Sequence, residues 1–417
     1  MKQLTVFDRA FLEERLNLSA LWQWFFEKRS QGVKLSAASI AGFFSGQHPE
    51  QVDFASIYQL MDAASEGFVV RAAGMPDMHQ GYALPIGGVV ATQDVVVPAW
   101  VGYDIGCGMC AAPTSFSVEE ILANRQLIFR SIYRRIPVGT KGHNKPIVDP
   151  ERELGKLPDN KTRSIYKSRH GDRQCGTLGG GNHFIEIGVA DSDQRVWIVL
   201  HSGSRGPGHG VAGHFMKLAS SSSKAKQGHY GLSIDSAEGQ SYLASLDWMT
   251  RFALLDRRLM LESVEQALQD IDLAGEVCMD ELVNRNHNHA EPDANGYYIH
   301  RKGATHAEDG MAGVIPGDMS RGSYLVRGLG NAQALNSSSH GAGRKLGRRQ
   351  AKQQLDIEQF RTTMQQANVQ ACVTPGTLDE APGAYKDIHD IIALQIEYGL
   401  IEQVDRIRPL INIKEQG

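Results

Sequence analysis

The sequence predicts an α+β fold in a single domain, with mixed β-sheets surrounded by helices. Three observations predict it. Short apolar runs broken by Gly and Pro recur from Gly67 to Val101, which is strand–turn–strand chemistry. The stretch from Glu238 to about Ile271 is amphipathic over many helical turns. No polar linker separates two apolar cores anywhere in the 417 residues, so 1–417 reads as one unit.

The elements follow in order. Residues 1–65 read as mostly helical, with "LSALWQWFFEKR" amphipathic and rich in aromatics. After the strands of 67–101, Ser117 to Arg135 reads as one helix, with a capping box from Ser117 to Glu120. Residues 138–175 are polar and rich in Pro, Lys and Arg, and read as a long loop. "FIEIGVA" and "RVWIVLHSGSRG" read as strands, the second ending in a glycine turn. "ASSSSKAKQG" at 219–228 reads as a surface loop. "NGYYIHRKGA" and "GSYLVRGLG" read as further strands, and helices are predicted at about 341–368 and 385–400.

Composition bounds the function. Hydrophobic residues make up 41% and charged residues 22%, as in ordinary globular proteins. No apolar run approaches the roughly 20 residues that span a bilayer. The N-terminal "MKQLTVFDRAFLEERL" lacks the continuous apolar core of a signal peptide. The five cysteines are odd in number and irregularly spaced, which argues against a disulfide framework and for a reducing cytoplasm. Lys plus Arg total 43 against 47 for Asp plus Glu, a net charge of −4. That excludes a globally basic nucleic-acid binder and leaves room for a local basic groove.

Chemistry gathers at glycine-rich turns. "YDIGCGM" (103–109) frames Cys107 with two glycines and puts Asp104 three residues before it. A plain core would carry Ala or Val there, so the glycines point to a tight turn that presents both side chains. His183 in "GGGNHF", His201 in "HSGSRG" and His287 in "RNHNHAE" supply imidazoles at similar turns. Taken alone, each histidine reads first as a hydrogen-bonded core or turn residue, and Cys107 as a small buried hydrophobe. Taken together with Asp104, they offer mixed O, N and S ligation suited to Mn, Zn, Fe or Co rather than Ca or Mg. "CGMC" also has redox spacing, but what precedes it does not resemble the start of a thioredoxin-type helix.

"NSSSHGAGRKLGRR" (336–349) is the second loaded stretch. It places His340 behind three serines and before glycines, with Arg344 and Arg348 expected four apart on one helix face. A helix N-terminus behind such a turn favours anions, and a histidine there can act as a base or as a nucleophile toward phosphorus. Arg205 in "HSGSRG", Lys302 in "HRKGA" and a turn before Ser323 add to a set of cations suited to a substrate rich in phosphates.

These pieces resemble the RtcB family of RNA-splicing ligases. The matching stretches are "PDMHQGYALPIGG", "VGYDIGCGM", "GTLGGGNHFIEI", "VLHSGSRG", "HN" at 287–288, "RKGA", "IPGDMS", "SYLVRGLGN", "SSSHGAGR", "DEAPGAYKDI" and the near-terminal Lys414. They occur in family order from about Met75 onward. Residues 1–65 carry no such signature, so 66–417 is the expected catalytic core. The resemblance implies a central cleft with two manganese ions held by Asp104, Cys107, His183, His201 and His287, Cys107 bridging. It implies that His340 attacks the α-phosphate of GTP to give a guanylylated histidine. Nucleotide contacts are then expected from Asn182, His183, Phe184, Ile185, Glu186, His287, Asn288, Pro316, Gly317, Asp318, Met319, Ser323, His340, Gly341, Ala342, Gly343, Tyr385 and Lys414, with Glu380 near the nucleotide. The implied reaction joins an RNA 3′-phosphate or 2′,3′-cyclic phosphate to a 5′-hydroxyl. Arg205, Lys302, Arg344 and Arg348 are the candidates for holding RNA phosphates or the transferring group. Lys161, Arg163, Lys167, Arg169 and Arg173 would extend the groove, or form a solvated loop. Cleaved RNA such as tRNA is the expected partner, with an archease-like activator as the partner protein the resemblance raises.

The chain departs from the commoner pattern at "HQGYALPIGG", at "NSSS" before His340, and in the tail "LINIKEQG". Those departures leave open a paralogue tuned to other broken ends: damaged tRNA, nicked ribosomal RNA or DNA. A hydrolase reading keeps the metals, makes metal-bound water the nucleophile and His340 an acid. A non-catalytic RNA-binding module needs no five ligands. Covalent GMP, turnover without GTP, and RNA retention after chelation separate the three.

Overall fold

The structure, a computed structural model, describes residues 39–42 and 53–415. The chain runs through β1 (Ser39–Gly42), α1 (Phe54–Ala64), β2 (Val69–His79), β3 (Ile86–Thr92), β4 (Val95–Val96), α2 (Pro98–Val101) and β5 (Gly108–Pro113). The helical reading of 1–65 holds for α1, whose first turn is capped by Asp53 accepting from the N–H groups of Ala55 and Ser56. It fails at β1, which pairs in parallel with Arg71–Gly74 of β2 because that edge offers it a ladder. The remainder of 1–52 lies outside the described residues.

The helix expected over 117–135 is two: α3 (Val118–Ala123), with Ser117 accepting from Glu120 N–H, and α4 (Arg125–Arg135). Asn124 breaks them with a non-helical backbone (φ −110°). The stretch read as a long loop, 138–175, carries α5 (Pro150–Leu154), α6 (Asn160–Ser168) and α7 (Gly171–Gln174). Asp149 and Asp159 cap the first two, a signal hidden in a polar background. β6 (Phe184–Ala190) and β7 (Val196–Ser202) fall where expected. They lead to α8 (Arg205–Ala219), which the glycines of "RGPGHGVAG" concealed; burial of Val211, Ala212, Phe215 and Met216 overrides its weak propensity.

After β8 (Leu232–Ser233) comes α9 (Ala237–Gln269), the long amphipathic helix. β9 (Val283–Asn286), β10 (Asn288–Pro292), β11 (Tyr298–Lys302), β12 (Ala304–His306), β13 (Ala312–Pro316), β14 (Ser323–Gly328) and β15 (Ser337–Ser339) follow. The helix expected from 341 begins only at α10 (Arg348–Gln354) and is followed by α11 (Ile357–Gln366). Residues 341–347 form a loop, with Arg344 bridging to Tyr385. So Arg344 and Arg348 do not share a helix face, and His340 does not stand at a helix N-terminus. β16 (Gln370–Ala371), α12 (Ile388–Glu397) and β17 (Ile401–Ile413) complete the described chain.

Two sheets organise these elements. One runs β1-β2-β3-β11-β10, and the other runs β13-β14-β17-β6-β7-β5-β9, with β16 beside β17. β12 pairs with β15 separately, setting His306 opposite Ser337. α9 packs against the larger sheet through Met260, Leu261, Val264 and Leu268, while Tyr242, Trp248, Met249 and Phe252 toward its other end are buried in a separate core with α2 and α8. Losing one buried Trp or Phe of that kind costs about 3–5 kcal/mol.

Candidate metal centre and nucleotide pocket

Strand register gathers the ligands. β6, β7, β5 and β9 are neighbours. Phe184 and Met109 both lie opposite His201, and Gly108 lies opposite Asn286. His183, His201, Cys107 and His287 therefore come together at one end of four adjacent strands. The glycines of "YDIGCGM" make the turn fit. Gly106 has φ +69°, and a Cβ on Gly108 would stand 2.1 Å from Arg285 O. The His287 N–H donates to Cys107 O at 2.7 Å, closing the turn onto β9 and β10.

The donor atoms form a chain. Asp104 Oδ2 is 2.9 Å from His183 Nε2, Cys107 Sγ is 3.5 Å from His183 Nε2 and 3.1 Å from His201 Nε2, and His201 Nε2 is 3.2 Å from His287 Nε2. His183 Nδ1 donates to Leu178 O and His201 Nδ1 to Asn182 O, which orients both rings and turns both Nε2 atoms into the cluster. Burial, reinforced by the neighbouring histidines, pushes His201 and His287 well below the usual imidazole value, so both are neutral, as metal ligands must be. Burial and the Asp104 carboxylate push the Cys107 thiol well above its ordinary value; a bound cation reverses that. Burial acts to raise the Asp104 carboxyl, but His183 and Arg205 outweigh it and hold it at about 2. One thiol, three imidazoles and one carboxylate converge here, a mixed S, N and O donor set that fits a transition-metal centre.

Behind the ligands stands Arg257 of α9, fully buried. It donates to Gly106 O and Ser202 O (both 2.8 Å), to Asn286 Oδ1 (2.6 Å) and to Asn284 Oδ1 (2.8 Å). Gly106 adjoins Cys107, Ser202 adjoins His201, and Asn286 adjoins His287. One guanidinium thus ties together three ligand-bearing segments. Nothing in the amphipathic pattern of α9 marks this arginine.

His340 follows β15 and faces the centre, its ring 4.8 Å from that of His287. Asp77, buried at the end of β2, accepts from His340 Nδ1 at 2.7 Å and from its backbone N–H at 3.3 Å. Burial acts to raise the Asp77 carboxyl, and His340 more than offsets this, so it stays ionised. Asp77 lies inside the quoted "PDMHQG", yet its role required the fold to show.

A cavity of about 260 Å³ adjoins His340. Of the residues expected around a nucleotide, Asn182, Phe184, Glu186, Pro316, Gly317, Asp318, Met319, Gly341, Ala342, Gly343, Tyr385 and Lys414 line it. Ile185 does not: alternation along β6 turns it into the core between Phe184 and Glu186. Ser323 is fully buried and acts through Glu186, donating to Oε1 at 3.2 Å. Asn288 turns to Asp104 O and Gly303 N instead. His183 and His287 belong to the ligand chain.

Glu380 is the hub of the cavity's cationic side. It accepts from Arg344 (3.1 Å), Arg348 (2.6 Å), Lys414 (2.9 Å) and the Tyr385 hydroxyl (2.6 Å). Burial opposes its ionisation, but Lys414, Arg348 and Arg344 hold it at about 2. Asn182, Arg348 and Glu380 also line a larger cavity of about 640 Å³, which reaches Asp104, His183 and Arg205. Lys302 lines neither cavity. It is buried, donates to Ala99 O at 3.3 Å, and burial alone brings it to about 8. Lys161, Arg163, Lys167, Arg169 and Arg173 also line neither; Arg163 pairs with Glu151 and Arg173 with the His143 carbonyl. All five cysteines are free thiols. No described helix is long and apolar enough to cross a membrane.

A family profile described as "tRNA-splicing ligase RtcB" matches residues 59–415. The chain is 36% identical over 385 residues to the RNA-splicing ligase RtcB of Escherichia coli K12, covering 85% of this chain and 93% of that protein. It is 30% identical over 418 residues to the tRNA-splicing ligase RtcB of Nanoarchaeum equitans, covering 82% and 87%. With its metal-ligand cluster, its histidine beside that cluster and a profile match across most of its length, the chain belongs to the RtcB family of RNA-splicing ligases.

Proposed function

We propose that this protein seals RNA 3′-phosphate or 2′,3′-cyclic phosphate ends to 5′-hydroxyl ends, using GTP and manganese, through a guanylylated His340. The observation that carries the reading is the Asp77–His340 pair. With Nδ1 committed to Asp77, His340 keeps its Nε2 lone pair free beside the ligand cluster and the smaller cavity.

A phosphomonoester is a poor electrophile because oxide is a poor leaving group. Neutral imidazole attacks the α-phosphorus of GTP without bringing negative charge toward a polyanion. A P–N bond forms, a P–O bond breaks and pyrophosphate leaves. Water first opens a 2′,3′-cyclic phosphate at its P–O2′ bond to give the 3′-phosphate, which takes GMP from the histidine as the P–N bond breaks, and the 5′-hydroxyl then attacks the 3′-phosphorus and displaces GMP. Asp77 holds the imidazole's orientation and stabilises the charge it acquires. Arg344, Arg348 and Lys414, tethered by Glu380, supply donors to phosphate oxygens. Glu186, at the cavity wall, suits guanine because its oxygens accept from N1–H and the exocyclic amine, whereas adenine presents an acceptor at N1. Two metal ions held by Asp104, Cys107, His183, His201 and His287 would neutralise charge on phosphoryl oxygens.

The test is labelling with GTP carrying a label on the α-phosphate, in the presence of Mn. Acid-labile, alkali-stable label that depends on GTP and disappears in His340→Ala is expected. Folded, metal-loaded protein that takes no label would overturn the mechanism.

A further inference from the structure

The larger cavity has an aromatic wall. The Tyr103 ring stacks on the His209 ring, with centroids 4.5 Å apart and planes 17° apart. Tyr103 belongs to the same turn as Asp104 and Cys107, and His209 stands four residues after Arg205 on α8. Tyr103 also abuts Gly213, where a Cβ would stand 3.6 Å from the tyrosine ring. Tyr103 is half-buried and His209 is exposed, so the stack keeps ring surface open to the cavity.

Position gives this stack a purpose beyond packing. Its cavity also holds Arg205, Arg348 and Lys352, cations suited to a phosphate backbone, and reaches the ligands Asp104 and His183. It shares Asn182, Arg348 and Glu380 with the smaller cavity. A terminal phosphate placed at that shared wall leaves its own nucleoside in the larger space. Single-stranded nucleic acid is held by this combination: cations along the backbone and aromatic faces under the bases.

Resting on the RNA-ligase reading, we propose that the Tyr103–His209 stack seats the terminal nucleobase of an RNA end at the ligand cluster. Stacking accepts any base, so the seat positions the end without selecting its sequence.

The test places an abasic residue at the 3′-phosphate end in one arm and at the 5′-hydroxyl end in the other. In the wild type, the abasic residue at the seated end is expected to raise KM about 10-fold with kcat held. His209→Ala should erase that penalty, and His209→Phe should restore it. An equal penalty in wild type and His209→Ala, or no penalty at either end, overturns the inference. A second measurement needs no variant: 2-aminopurine at the seated position should lose fluorescence on binding to the wild-type protein, and bound RNA with unchanged emission overturns the seat. Wild-type protein that neither takes GMP nor ligates intact RNA overturns the ligase reading itself. Ligation without any dependence on the base overturns only the seat.

Discussion

Asp77 Oδ2 sits 2.7 Å from His340 Nδ1 and also accepts the His340 backbone N–H. The imidazole is held at two points by one carboxylate. Asp77→Asn keeps an acceptor of similar shape but removes the charge that stabilises an imidazolium. GMP transfer to His340 should fall by about 100-fold or more, read as the rate of α-label incorporation. A rate within a few-fold of wild type would show that Asp77 does not govern the nucleophile.

Arg257→Met tests the tie between the ligand-bearing segments. The change leaves Gly106 O, Ser202 O, Asn284 and Asn286 without their donor. Stability should drop by about 3–5 kcal/mol, and metal content should fall with it. Urea unfolding and elemental analysis on the same preparation check both. Full metal content despite lost stability would mean that the strands alone hold the ligands in register.

Glu186 ties nucleotide affinity to pH. Burial raises its carboxyl to about 8, with Ser323 and Asn412 hydrogen bonds only partly opposing. Guanine donates two N–H groups and needs the ionised form. Affinity for a guanine nucleotide should therefore rise with pH and level off above about 8, with one proton released on binding below that. Calorimetry in buffers of different ionisation enthalpy reads the proton directly; heats independent of buffer count against this role. Glu186→Gln should flatten the profile.

Lys302 links stability rather than affinity to pH, with the same sign. Burial lowers it from 10.5 to about 8, so between those values the unfolded chain binds the proton and the folded chain does not. Stability from this group therefore rises as pH climbs from about 8 to 10.5, and its full cost, on the order of 3 kcal/mol, applies below 8. Lys302→Met should be more stable than wild type at pH 7, with the gap closing toward pH 10. Parallel pH curves for the two proteins would reject the assignment.

The site's chemistry was more legible in the sequence than its supports. Glycine-framed Cys107 and the histidines at glycine turns were readable because turns and ligand types leave local marks. The α9 helix and strands β6 and β7 were readable by periodicity. Asp77, Arg257 and the Glu380 hub were harder to see, because their partners lie far away in sequence. The helical stretch expected from 341 starts only at 348 for a physical reason: Gly343 takes φ +75° with its Cβ position 2.2 Å from Asp77 O, so 341–347 are fitted to the histidine's support rather than wound into a helix. Ile185 lies in the core beside the cavity and not on its wall, because a strand presents only alternate residues to a cavity.

The place of β17 has a consequence for metal choice during synthesis. It lies between β14 and β6 in the sheet whose neighbouring strands present the ligands, although it is the last strand in chain order among the described residues. A chain emerging from the ribosome carries all five ligands before the strand that completes the sheet beside β6. The candidate centre thus rests on a sheet built from distant segments, whereas a small zinc-dependent domain takes its fold from the metal. Affinity order favours copper and zinc over manganese for donors of this kind. A centre with these donors therefore takes its metal according to supply as well as to strength of binding.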